Sequence, residues 1–101
     1  MKIAVTAATG QLGTSIVDAL LALVPEKNII ALARTPEKAV NLGVEVRPGD
    51  YGNPIQLQQS LQGVNTLLLV SGMDEPSKRI EQHRNVINAA KQAGVDKIVY
   101  T

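Results

Sequence analysis

The sequence predicts a doubly wound α/β domain whose five parallel strands lie in the order 3-2-1-4-5. Three observations carry that expectation. Short β-branched segments alternate with longer segments of helical apolar spacing. The strand segments Lys2–Thr6 and Asn28–Ala33 are apolar on both faces, as strands covered by helices on either side are. Proline and glycine fall at segment boundaries, where they start and stop helices without interrupting them.

Each element follows in turn. Lys2–Thr6 is the first strand. Leu12, Ile16, Val17, Leu20, Leu23 and Val24 recur at three- and four-residue spacing, so Gln11–Val24 reads as a helix that Pro25 cannot extend. Asn28–Ala33 is a second buried strand, and Pro36–Leu42 a short helix stopped by Gly43. Val44–Arg47 is a third strand, ending at Pro48-Gly49. Asn53 supplies an N-cap and Pro54 a first-turn proline for a helix running to Gln62 and closing at Gly63. Thr66–Val70 is the most hydrophobic strand and belongs near the sheet centre, followed by a polar loop from Ser71 to Pro76. Ser77–Ala93 places Ile80, Val86, Ile87, Ala90 and Ala93 at helical intervals, with Gly94 as its C-terminal stop. Val95–Thr101 is the fifth strand.

Composition narrows the function. With 101 residues the chain suits one domain, and burying roughly two-thirds of the unfolded surface is enough to fold it without disulfides or metal. Ten basic against nine acidic residues leave a formal charge of +1, which lacks the electrostatic footprint of a nucleic-acid binder. Tyr51 and Tyr100 are the only aromatic residues, too few to stack single-stranded bases. No cysteine and the single His83 leave no metal cluster and no thiolate nucleophile. The longest purely apolar run, Ala19–Val24, has six residues where a bilayer span needs roughly 20. A soluble, cytoplasmic protein is expected, with neither nucleic acid nor membrane as partner.

The informative stretch is Thr6–Gly13, T-A-A-T-G-Q-L-G, between the first strand and first helix. Backbone amides at a helix N-terminus bind phosphate, and a turn of this kind needs glycine for close approach to the ligand and for tight helix packing. Gly10 and Gly13 stand as the second and third glycines of a G-x-x-G-x-x-G loop, with Ala7 where the first would be. If that position requires a left-handed backbone, alanine costs about 1–2 kcal/mol; otherwise the change is nearly neutral. Two glycines also serve an ordinary strand-to-helix turn. About 20 residues beyond Gly13, where a dinucleotide fold meets the adenosine ribose, stands Arg34. A carboxylate there would accept from a ribose hydroxyl, whereas a guanidinium pairs with a 2′-phosphate, so Arg34 points to NADP(H).

Four segments carry a family resemblance: Thr6–Gly13, R-T-P-E-K-A at Arg34–Ala39, V-R-P-G-D-Y-G-N-P at Val46–Pro54, and Q-H-R-N-V-I-N-A-A-K-Q-A-G-V at Gln82–Val95. They resemble the NmrA-like atypical short-chain dehydrogenase/reductases, and among these the bacterial type-2 quinone oxidoreductases and triphenylmethane reductases. The resemblance runs the whole length and implies a Rossmann-type cofactor half of a longer enzyme. It implies that Ala7, Ala8, Thr9, Gly10, Gln11, Leu12 and Gly13 cradle the pyrophosphate of NADP(H), and that Arg34 holds the 2′-phosphate. Asp50 and Tyr51 would lie near the adenine. Val70, Ser71, Gly72 and Met73 would border the ribose and the path to the nicotinamide. The independent rule that ligands sit outside the carboxyl ends of parallel strands leads to the same crevice.

In that subfamily hydride passes directly from NADPH to a quinone-like or dye acceptor, so the cofactor carries the chemistry and catalytic residues are expected beyond residue 101. Two further readings use the same residues: a redox sensor that binds dinucleotide and regulates a transcription factor, and a nucleotide-sugar epimerase or reductase. Asp50 also suits a simple turn at Gly49–Gly52, and His83 suits a structural place in the long helix. The exposed outer edge of the fifth strand predicts self-association, a homodimer included, or marginal stability of the 101 residues alone.

Overall fold

The computed structural model describes residues 1–70 and 76–100, the side chains of residues 76–79 excepted. Five parallel strands form one sheet: β1 (Ile3–Val5), β2 (Ile29–Ala33), β3 (Glu45–Pro48), β4 (Thr66–Leu69) and β5 (Lys97–Tyr100). Their spatial order is β3-β2-β1-β4-β5, as the alternation of elements predicts. Ile3 lies in register with Ile29 on one side and Thr66 on the other, so β1 is central and the order reverses beside it.

Strand periodicity sends alternate residues to two cores. Ala4, Ile30, Leu32, Leu67 and Leu69 face helices α2 (Pro54–Ser60) and α3 (Pro76–Ala93), meeting Leu57, Leu61, Val86 and Ala90. Val5, Ile29, Ala31 and Val70 face the opposite way, toward Val17 of α1 (Gln11–Leu21). Every residue of β2 is fully buried, which explains its uninterrupted I-I-A-L-A. The edge strands β3 and β5 are partly exposed.

Several boundaries differ from expectation. Helix α1 stops at Leu21, because the Ala22 N–H folds back onto the carbonyl of Ala19 and the Leu23 N–H onto that of Leu20. Leu23, although in phase with the apolar stripe, is therefore 78% exposed. The short helix expected at Pro36–Leu42 keeps those bounds and is a 3-10 helix. Three residues per turn align Pro36, Ala39 and Leu42 on the inner side while residues 37, 38, 40 and 41 are exposed, a facing that α-helical rotation would scramble. A short 3-10 turn, Glu26–Asn28, has no counterpart in the sequence reading. Helix α2 ends at Ser60, two residues earlier than expected, though its Asn53 cap is present: Oδ1 accepts from the Gln56 N–H at 3.1 Å. The fifth strand begins at Lys97 because Val95 N–H is used to close α3 on the Ala90 carbonyl at 3.0 Å. Ile80 is 62% exposed, leaving Val86, Ala89 and Ala90 as the fully packed stripe of α3.

Candidate functional site

The chain leaving the carboxyl end of β1 stays zipped to both neighbouring strands, first β4 and then β2. Thr6 N–H donates to the Leu68 carbonyl at 3.1 Å, and Ala8 N–H donates to the Leu32 carbonyl at 3.1 Å. Between them the chain turns sharply at Ala7, whose φ of +52° lies in the left-handed region. The open question of the sequence is thus answered: position 7 does require the conformation that glycine adopts freely. The turn is tied by the Gly10 N–H donating to the Ala7 carbonyl at 3.0 Å.

Glycine at position 13 has a separate cause. A Cβ there would lie 2.1 Å from the Ala7 carbonyl oxygen, so only a bare Cα lets α1 approach the turn. Gly10 is the N-cap of α1 and offers no side-chain acceptor to the first turn. The Thr14 N–H bonds to the Gly10 carbonyl at 2.9 Å, leaving the amides of Gln11, Leu12 and Gly13 without an intrahelical acceptor. No acidic residue stands in the first turn to neutralise the positive end of the helix. Thr14 Oγ1 donates to the Ala8 carbonyl at 2.9 Å, fixing the loop from its far side. Thr9, Gln11 and Leu12 are exposed while Ala8 and Gly13 are buried.

Arg34 follows β2 by one residue and lies two positions past Leu32, the partner of Ala8. Its side chain is exposed, and none of the described carboxylates pairs with it. By contrast Arg47 is committed, bonded to Glu45 Oε2 at 2.6 Å and to the carbonyls of Ser60 and Gln62. Among the described residues, none engages the exposed Arg34 guanidinium.

Asp50 and Tyr51 occupy the turn after β3. Asp50 Oδ1 accepts from the Gly52 N–H at 2.9 Å, the turn-forming role that aspartate favours. Tyr51 points its hydroxyl toward the carboxyl ends of β1 and β4, 2.7 Å from Thr6 Oγ1 and 2.5 Å from the Val70 carbonyl. Burial pushes the Tyr51 phenol above its usual value, and the bond with Thr6 offsets this in part. Val70 is buried at the end of β4; Ser71, Gly72 and Met73 lie outside the described residues.

The sequence pattern did not single out Thr6, Thr14 or Asn85 as partners of these groups. Asn85 Nδ2 donates to the Tyr51 carbonyl at 3.0 Å across 34 positions, and no local spacing marks such a pair. His83 sits in α3 with its ring 6.1 Å from that of Tyr100. Among the described residues no group of histidine, aspartate and glutamate is placed to hold a metal ion. None of the described helices is long and apolar enough to cross a membrane. A shallow groove bounded by Glu26, Lys27 and Glu45 lies at the opposite end of the sheet, away from the strand ends where ligands bind in such folds.

A parallel sheet whose order reverses at β1, with a glycine-bearing turn leading into a helix N-terminus at that point, defines a Rossmann-type α/β domain. The chain belongs to the NmrA-like family, whose family model matches residues 1–101. It is 51% identical to quinone oxidoreductase 2 of Escherichia coli over 98% of this chain and 35% of that protein. Among solved structures it resembles triphenylmethane reductase of Citrobacter sp. complexed with NADP(H), at a TM-score of 0.95 and 50% identity, covering 99% of this chain and 37% of that one. The NADPH complex of the Escherichia coli NADPH-dependent quinone oxidoreductase matches at a TM-score of 0.91 and 50% identity, over 97% of this chain and 35% of that one. The chain spans about a third of the length of the curated relatives it matches.

Proposed function

We propose that this chain forms the NADP(H)-binding part of an oxidoreductase that passes hydride from NADPH to a quinone-like or dye acceptor. The observation that carries the reading is the juxtaposition at the β1 end: an uncapped first turn of α1 next to the unengaged Arg34. The donor set suits a dinucleotide phosphate, since amides without acceptors and a helix dipole favour a diphosphate and a guanidinium favours a further phosphate. The NADP(H) and NADPH complexes of the two similar reductases support it.

Ala7–Gly13 would hold the pyrophosphate, with the Gln11, Leu12 and Gly13 amides donating to it. Arg34 would pair with the 2′-phosphate, the turn at Asp50 and Tyr51 would border the adenine, and the end of β4 at Val70 would flank the path to the nicotinamide, with Ser71, Gly72 and Met73 following it. When bound, NADPH supplies the hydride, and the residues of this chain bind and orient without a proton-transfer role. A small-molecule acceptor is the partner this reading implies.

Calorimetric titration with NADPH and NADH tests it. Saturable binding with NADPH preferred by at least tenfold is expected. Equal affinity for the two would remove the assignment of Arg34, and binding of neither would remove the reading as a whole.

A further inference from the structure

Tyr51 stands in the loop after β3, at one edge of the sheet, yet its hydroxyl reaches past β2 to the ends of β1 and β4. These two strands flank the point where strand order reverses, and the crevice there is where open α/β sheets take their ligands. The Tyr51 hydroxyl faces two acceptors, Thr6 Oγ1 at 2.7 Å and the Val70 carbonyl at 2.5 Å. Thr6 Oγ1 in turn accepts from the Val70 N–H at 2.8 Å, so both backbone groups of Val70 are held by this pair of side chains.

The phenol is itself held firmly. The Asn85 amide of α3 donates to the Tyr51 carbonyl at 3.0 Å, and the preceding Asp50 N–H donates to Gln56 Oε1 of α2 at 3.1 Å. The ring packs against the core beneath α2 and α3. Thr6 is fully buried and immediately precedes Ala7, the first residue of the loop. The clasp therefore fixes the strand end from which that loop departs.

We infer that Tyr51 is a positioning residue: through Thr6 and Val70 its hydroxyl sets the separation of the β1 and β4 ends, and so the placement of the phosphate-binding loop. The inference rests on the cofactor reading above. It concerns the part of the site common to NADPH and NADH, and so separates from the role of Arg34.

The test is a double-mutant cycle on the full protein, with NADPH and NADH affinities measured calorimetrically and folding checked by circular dichroism. A hydroxyl bond of this kind accounts for about a fivefold change in an equilibrium. Tyr51→Phe and Thr6→Val should each raise both dissociation constants by about fivefold, leaving their ratio unchanged. The double variant should lose less than the sum of the two single losses, since both single variants remove the Tyr51–Thr6 bond. Thr6→Ser, which keeps the hydroxyl, should restore wild-type affinity. A folded Tyr51→Phe protein with unchanged affinity for both would overturn the inference, as would additive losses. Should Tyr51→Phe fail to fold, the contrast between Thr6→Val and Thr6→Ser still decides. Absence of NADPH binding by the wild-type protein would instead strike the underlying cofactor reading.

Discussion

The Ala7 carbonyl oxygen occupies the space that a Cβ at position 13 would need, at 2.1 Å. One glycine thereby makes room for a strained alanine. Ala7 holds a left-handed backbone because its carbonyl bonds the Gly10 N–H and because α1 presses on the turn through a residue with no side chain.

Replacing Gly13 with alanine forces the new methyl into the Ala7 carbonyl, and neither backbone can yield without breaking the turn. Overpacking of this kind costs about 1–3 kcal/mol, and the upper end applies because the obstacle is main chain. Urea unfolding of Gly13→Ala should show the loss. NADPH affinity should fall with it, because α1 can relieve the clash only by moving its first turn.

Ala7→Gly should act in the opposite direction. The left-handed backbone costs alanine about 1–2 kcal/mol, against which glycine gives back part through the greater freedom of the unfolded chain. A net gain of about 0.5–1 kcal/mol in unfolding free energy is expected. Ala7→Val, with a β-branched side chain at the same dihedral, should destabilise further. A destabilised Ala7→Gly protein would contradict the strain assigned to this residue.

The folded-state pKa of Tyr51 lies above the value of 10.0 for a free phenol. Such a group holds its proton longer in the folded than in the unfolded state, so its contribution is intact below pH 10. That contribution is lost as pH rises from there through the folded value. Stability measured by urea unfolding at increasing pH should therefore fall more steeply for the wild-type protein than for Tyr51→Phe. Parallel curves would show that the phenol is not held in its neutral form.

Arg34→Ala should weaken NADPH binding by about one order of magnitude or more, since a bond to a charged group contributes about 1.5–3 kcal/mol. NADH affinity should stay within a factor of about two, because NADH has no 2′-phosphate. Equal losses for both cofactors would place Arg34 elsewhere than at the ribose.

The architecture was readable where burial on both faces forced the choice of residue, as in Ile29–Ala33. Arg34 could be placed because strand and helix lengths set its distance from the loop. The end of α1 was not readable: Leu23 continues the apolar stripe, yet the backbone has already turned at Ala22. Nor could alanine at position 7 announce its own dihedral, since that is imposed by Gly10 and Gly13 together. Tyr51 was picked out as a site residue, but its partners Thr6 and Val70 lie 45 and 19 positions away. Contacts of that range arise from topology, and no local pattern records them.

The proposed function requires that the first turn of α1 and Arg34 together receive one dinucleotide phosphate. Amide chemical shifts followed during NADPH titration test it most directly. The largest changes are expected at Gln11, Leu12 and Gly13, with a shift of the Arg34 Nε–H and little change at Lys27 and Gly43–Glu45 on the opposite end of the sheet. Saturable shifts centred on that opposite groove, with the first turn of α1 silent, would contradict the account.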